Sequence, residues 1–471
     1  MVSSAIAPAW LEKPADLNAL DARLWPAVRR SSAGEMLIGG VPVSSLVEQF
    51  GSPLYVVDLD VLSARALMVK DALTSGVARD HRSVHVFYAS KALLTSDVVR
   101  TVAAHGLGFD VSTRGEMEWV LASGVEASRL EFQGNNKSDA ELRRALTVGV
   151  GAVVVDSEWE AKRLAAISAE LNVHQRVMIR VNSGVHAGTH DYLATAREDQ
   201  KFGIARGDLD AVVDIIASAE HLEFVGLHSH IGSQIVSPDG FVEAATRLLE
   251  LYAHYSAHHP LDTLNLGGGF AIPYTPADPD SNLEAIATAL GELLDQWDAK
   301  GVRVPQISFE PGRIIAGPAG VTLYSVGTTK SVLVGEGDDA ATRLYVSVDG
   351  GMSDNLRPAL YGANYTVRLA NRHSSAPAQL VRVVGKHCES GDIVVHDDYL
   401  PSDVVPGDTV VVAQTGAYCH SLSSNYNAVG RPAMVVVEGG EARLSLKAES
   451  VDDVLSRDAG LAFGSASSEE A

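Results

Sequence analysis

Between residues 83 and 310 the chain alternates short β-branched and aromatic runs with longer stretches whose apolar positions recur every three to four residues. Strands are predicted near 83–88 (SVHVFY), 107–111 (LGFDV), 130–133 (LEFQ), 152–156 (AVVVD), 176–181 (RVMIRV), 223–230 (EFVGLHSH), 263–266 (TLNL) and 306–310 (QISFE). Amphipathic segments such as RGEMEWVLASG, DAELRRALTVG and SEWEAKRLAAISAEL separate most of them. Roughly eight strand–helix units in about 250 residues predict a (β/α)8 barrel. An open, doubly wound sheet has the same alternation, because periodicity does not report closure.

After residue 325 the texture changes to short strand-like runs, RLYVSVDGG, AQLVRVVGK, DTVVVAQTG and PAMVVVEGG, punctuated by Gly, Pro and Asp. That pattern predicts a mostly β domain. The early GEMLIGGVPVSSLVEQFGSPLYVVDLD has similar short strands and a Pro break. The expected organisation is therefore an N-terminal segment, 1–55, packing with a C-terminal β domain, 326–471, and a barrel, 56–325, inserted between them. The small, acidic ending FGSASSEEA is expected to fray. No internal repeat is visible.

A chain of 471 residues, 46% hydrophobic and 20% charged, has enough apolar sequence for two cores. Its formal net charge of −22 repels phosphate, which argues against nucleic acid or an acidic membrane surface as a general partner. Any anion it binds needs a locally prepared site. Two cysteines, Cys388 and Cys419, are too few for a disulfide scaffold, and MVSSAIAPAWLEKPADL lacks a basic start followed by an apolar core. No run approaches the roughly 18 apolar residues of a membrane span. A reducing cytoplasm is the expected location, and no metal site is expected.

Barrel active sites lie at the C-terminal ends of the strands, and the polar residues cluster there. Lys91 follows the first predicted strand, Asp110 lies at the second, Asn182 follows the fifth and His230 the sixth. Gly267, Gly268 and Gly269 follow the seventh, and Glu310 with Arg313 the eighth. Each has a plain structural reading alone: Lys91 an exposed strand end whose stem covers apolar surface, Asp110 a helix cap, His230 a satisfied core histidine, Glu310 and Arg313 a local ion pair. Their common position at one rim argues for a site. NLGGGF leaves three successive backbone N–H groups unscreened by side chains, in the region where barrels often bind phosphate. A lysine amine, a phosphate cradle and a carboxylate near the last strand are the parts that pyridoxal phosphate requires.

The motifs FYASKA, GFDVSTRGE, HSHIGSQ, NLGGGF, EPGR, CESGD and GAYCHSLSSNYN together resemble those of the alanine-racemase-like pyridoxal-phosphate decarboxylases. Among these the pattern is most similar to the diaminopimelate decarboxylase family, in an actinobacterial-looking form with THDYLATAREDQKFG mid-chain. The resemblance runs from about residue 30 to about 450, with the motifs in family order. Ala92 departs from it, since many relatives have Asn after the lysine.

The resemblance implies that Lys91 is the Schiff-base lysine and that His230 stacks on the cofactor ring. Ser233 and Gly267–Gly269 would hold the phosphate, Glu310 would pair with the pyridine nitrogen, and Asp110 and Glu116 would support the lysine end. It further implies that Arg313, Arg357 and Tyr361 bind the distal carboxylate of the substrate. Glu389 would take the distal ammonium, and Tyr418 would reach both phosphate and substrate. Cys388, a catalytic candidate, and Glu389 would come from the second subunit of a homodimer with shared sites. Read from the residues alone, Cys388 is a small buried hydrophobe and Arg357 a surface charge. Two other functions share the cofactor motifs: decarboxylation of ornithine, lysine or arginine, which gives Arg357 no distal carboxylate to bind, and non-catalytic pyridoxal-phosphate carriage, which leaves CESGD and GAYC unused.

Overall fold

A computed structural model of the protein describes residues 6–185, 201–335 and 340–461. The THDYLATAREDQ portion of the mid-chain motif and the FGSASSEEA ending lie outside these residues. The chain divides into two compact units, one of residues 61–273 and 278–317, the other of residues 1–60, 274–277 and 318–471.

The described residues of the first unit contain eight strands: β1 (Ser83–Ala89), β2 (Gly108–Val111), β3 (Leu130–Phe132), β4 (Ala152–Val155), β5 (Gln175–Arg180), β6 (Leu222–His228), β7 (Thr263–Asn265) and β8 (Gln306–Phe309). All neighbours are parallel, and β8 returns to pair with β1, Gln306 beside Ser83, so the sheet is a closed barrel and not an open doubly wound sheet. Several strand-to-helix loops end on a Ser or Thr that accepts a bond from the first helical turn: Thr95 from Val98, Thr113 from Glu116, Ser138 from Glu141 and Ser157 from Glu160. Such caps satisfy N–H groups that the helix leaves without partners, and stop the chain turning helical earlier. Phe109, Phe132, Leu264, Ile307 and Phe309 are fully buried, each contributing on the order of 1.5–3 kcal/mol.

Strand periodicity sets the chemistry. In GFDV and LEFQ the aromatic residues Phe109 and Phe132 alternate with Asp110, Glu131 and Gln133, so the polar residues share the other face. Pairing places Ala89 beside Asp110, Asp110 beside Glu131, Arg180 beside His228, His228 beside Asn265 and Asn265 beside Ser308. Apart from Ala89, these residues form one polar tier near the C-terminal ends of the strands.

The second unit is built on the long strand Gly320–Val334, which pairs with Leu54–Asp58, Ala341–Val348 and Thr409–Val412. Leu54–Asp58 is buried along its whole length and also pairs, in parallel, with Ala433–Glu438. A strand from the N-terminal segment thus lies between two from the C-terminal part. Residues 56–60 and 318–325, assigned to the barrel by texture, belong to this unit because a division at 55 or 325 would cut two continuous strands. No helix among the described residues is long and apolar enough to cross a membrane.

Candidate functional site

Lys91 lies in the single turn Ser90–Ala92 that follows β1, and is exposed. Its charge acts on Asp110, Glu116, His230 and Glu310. Lys137 is different. Its ammonium is buried and donates to Gly134 O at 2.7 Å, Val154 O at 2.7 Å and Glu160 Oε1 at 2.6 Å. All three of its protons are committed, so it is an ion-paired pillar and not a nucleophile. Borohydride reduction of the cofactor-loaded protein followed by peptide mapping should therefore place the pyridoxyl label on Lys91. Recovery of the label on Lys137 or Lys201 would overturn the assignment.

Glu310 directly follows β8 and is buried. Gln133 Nε2 and Asn265 Nδ2, the latter at 2.8 Å, donate to its Oε1. His228 Nε2 spans both oxygens, 3.1 Å from Oε1 and 3.3 Å from Oε2. Burial pushes this carboxyl up, but His228, together with Lys91, outweighs burial and holds it well below the usual carboxylate range. Asp110 moves the other way. Burial raises it, Glu310 and Glu116 add to the rise, and its Oδ1 has no hydrogen-bond donor among the described residues. Glu116 folds back to accept the Ser112 N–H at 2.6 Å, and burial raises its carboxyl too.

His230 is half-buried, and its Nδ1 accepts the Gly268 N–H at 3.2 Å, which assigns the proton of the neutral ring to Nε2. Burial, then Lys91 and Arg180, lower its pKa to about 3, so the ring is neutral at neutral pH.

The glycine triplet differs in detail from an open row of three donors. Gly267 N–H donates to Asn265 Oδ1 at 2.9 Å and Gly268 N–H to His230, leaving Gly269 as the member whose N–H has no acceptor among the described residues. The glycines serve close approach instead: a Cβ on Gly268 would sit 2.0 Å from Glu310 O, and one on Gly269 would sit 2.3 Å from Gly232 O. The loops after β6 and β7 are joined by Ile235 N to Gly269 O at 2.9 Å and by both amide atoms of Gln234 to Ile272, at 3.0 and 3.1 Å. Ser233 Oγ accepts from Arg313 Nη2 at 2.9 Å. Asn182 is engaged in its own turn, its Oδ1 accepting the Gly184 N–H at 3.0 Å.

In the sheet unit the residue-only readings of Arg357 and Cys388 are both reversed. Arg357 is 6% exposed, because the helix Arg357–Tyr361 turns it between two rings, its guanidinium carbon 4.6 Å from the Tyr274 centroid and 5.5 Å from that of Tyr365. It also donates to Tyr365 Oη. Tyr361, on the same helix, is 65% exposed. Cys388 is exposed, and Cys419 is the buried cysteine, its thiol 3.5 Å from Asn355 Oδ1. The loop with Cys388 and Glu389 is held on three sides. His387 Nε2 lies 2.8 Å from Ser353 Oγ, Asn427 Oδ1 accepts the Cys388 N–H at 3.2 Å, and Asp392 accepts the His387 N–H at 2.7 Å. Glu389 is exposed. Tyr418 has a left-handed backbone, φ 63°.

A group with an aldehyde, an anionic phosphate and a basic ring nitrogen fits the barrel half: a reachable amine, a glycine-narrowed loop pair beside Arg313, an anionic Glu310 and the donor-less Asp110 oxygen. Sequence reading missed Glu131, Gln133, His228 and Asn265 within this half. The available signal was a polar residue alternating with a buried aromatic in a short barrel strand.

Residues 65–317 match the family model "Pyridoxal-dependent decarboxylase, pyridoxal binding domain". The chain is 46% identical over 451 residues to diaminopimelate decarboxylase of Mycobacterium tuberculosis, covering 94% of this chain and 99% of that one. A Bacillus subtilis diaminopimelate decarboxylase is 40% identical, with 91% and 96% covered. Among solved structures, diaminopimelate decarboxylase from Helicobacter pylori complexed with L-lysine is similar with a TM-score of 0.78 and 28% identity, over 88% of this chain and 98% of that one.

Proposed function

The chain belongs to the diaminopimelate decarboxylases, within the pyridoxal-dependent decarboxylases, and from that premise we infer how its residues divide the reaction. It converts meso-2,6-diaminopimelate to L-lysine and CO2, the last step of lysine biosynthesis, with pyridoxal 5'-phosphate as cofactor. The bond from the α-carbon to its carboxylate breaks, the electron pair remains with the carbon, and a proton takes the place of CO2. When bound, the cofactor supplies an electron-accepting ring for that pair.

The observation that best supports the residue roles is the set of three side chains around Glu310. An anion held by Gln133, Asn265 and His228 is suited to keep a proton on a ring nitrogen. Lys91 would hold the cofactor, the neutral ring of His230 would lie against it, and Asp110 and Glu116 would keep the lysine end polar. Ser233, the Gly267–Gly269 loop and Tyr418 would hold the phosphate. Arg313, Arg357 and Tyr361 would read the distal carboxylate, and Glu389 the distal ammonium. Cys388 is the candidate acid at the reacting carbon.

We further propose a homodimer in which Cys388 and Glu389 complete the partner's site, supported by their exposure on a loop braced by His387, Asn427 and Asp392. A reducing, cytoplasmic location suits the exposed Cys388 thiol.

Release of CO2 from meso-diaminopimelate, L-lysine and L-ornithine tests the substrate assignment. Arg357→Ala and Arg357→Lys should each raise KM for diaminopimelate roughly 10-fold to 100-fold with cofactor affinity unchanged, since lysine supplies charge without the two-pronged geometry. Equal release from lysine by the wild type, or an unchanged KM in both variants, would contradict it.

A further inference from the structure

One buried titratable group has no part in the division of roles above. Glu131, in β3, is 3% exposed, and its Oε2 accepts a hydrogen bond from Asn265 Nδ2 at 2.8 Å. Strands β3 and β7 stand opposite each other in the eight-strand ring, four places apart in either direction. This bond therefore spans the barrel interior.

The orientation of Asn265 is settled by its partners. Its Oδ1 accepts the Gly267 N–H at 2.9 Å, and its amide nitrogen faces two carboxylates, Glu131 Oε2 and Glu310 Oε1, each at 2.8 Å. One NH2 group has two protons, one for each carboxylate. A flipped amide would put oxygen against oxygen twice and nitrogen against the Gly267 N–H. Asn265 thus links the barrel floor, Glu310 and the glycine loop.

Two buried carboxylates bridged by one neutral amide do not both remain ionised unless cations compensate. Glu310 has His228 against both oxygens and Gln133 as a further donor, whereas no lysine, arginine or histidine lies within ion-pairing distance of Glu131 among the described residues. The charged groups acting on Glu131 are Asp110 from β2, Glu310 after β8 and, more weakly, Arg176 from β5. Burial, then Glu310 and Asp110, push its carboxyl well above the usual range.

We propose that Glu131 is a positioning residue: a neutral carboxylic acid that fixes Asn265 across the barrel and so keeps the negative charge of the floor on Glu310. Its proton sits on Oε1, since Oε2 accepts from the amide. The role deepens the reading of Glu310 as the partner of the cofactor's ring nitrogen and rests on that reading.

Glu131→Gln and Glu131→Ala test it. Glutamine is neutral and of the same shape, so cofactor dissociation from the reconstituted apoprotein should stay within about threefold of wild type, with the same visible spectrum across pH. Alanine removes the acceptor that holds Asn265. Cofactor affinity should fall by roughly tenfold or more, and the pH dependence of the bound cofactor's absorption should shift. A second readout is independent of loading: the infrared carbonyl stretch of a protonated carboxylic acid should be present in the wild type and lost in Glu131→Gln. Affinity loss in Glu131→Gln equal to that in Glu131→Ala, wild-type behaviour of Glu131→Ala, or no band assignable to Glu131 would each overturn the proposal. If Glu310→Gln left the enzyme unaffected, the reading of Glu310 would fail, while the infrared band would still report whether Glu131 carries a proton.

Discussion

Glu310→Gln should lower turnover roughly 10²-fold, a loss of about 2–4 kcal/mol of transition-state stabilisation, while the cofactor still binds. The substitution suits the site sterically. The amide oxygen takes the place of Oε1 and keeps the donors Gln133 and Asn265, and the new NH2 group faces His228, 3.3 Å from the present Oε2. His228 can accept that contact at Nε2 once the ring holds a proton only on Nδ1, an atom with no hydrogen-bond partner among the described residues. Packing is therefore preserved and only the charge is lost. Single-turnover rates should fall with kcat, because the change acts on the bond-breaking step and not on substrate capture. Turnover close to wild type in a fully loaded variant would show that the ring nitrogen does not depend on this carboxylate.

The second large effect is a gain. Lys91→Ala and Glu389→Ala homodimers should each be inactive or nearly so, yet mixing them under conditions that exchange subunits should restore activity. In a hybrid with shared sites, one site combines the intact Lys91 of one chain with the intact Glu389 of the other, and the second site lacks both. Equal mixing gives roughly half hybrids, so recovery should approach about a quarter of the wild-type rate. The bracing of the Cys388–Glu389 loop by Ser353, His387 and Asn427 matters here, since a loop held within its own chain can be offered to a neighbour without first being ordered. Hybrids shown to form but remaining inactive would place Lys91 and Glu389 in the same single-chain site.

The barrel was legible because each strand is a short apolar run bounded by a polar residue, and each following helix has its own period. Lys91, Glu310 and the glycine triplet stood out because they end such runs. Glu131 and Asn265 did not, because each is one polar residue inside a run otherwise read as core, and only barrel closure brings β3 within reach of β7. The glycines illustrate a different limit. Composition exposed three N–H groups, whereas Asn265 Oδ1 and His230 Nδ1 already accept two of them, and that depends on tertiary neighbours. Arg357 was misjudged from its residues alone because a surface and an aromatic slot formed by Tyr274 and Tyr365 have the same local pattern around RPALY.

The placement of Leu54–Asp58 between Gly320–Val334 and Ala433–Glu438 has a consequence for the chain as it leaves the ribosome. LYVVD emerges early, but its first sheet partner follows only after about 260 residues and its second after about 380. At the roughly 5–20 residues per second of synthesis, this apolar strand waits with both edges open for about 13–52 s, and one edge stays open until about 20–80 s have passed. The barrel residues, made in that interval, can close on themselves. A nascent-chain pause that lengthens the wait would therefore expose one specific sticky segment, and LYVVD is where a holding chaperone would be expected to bind.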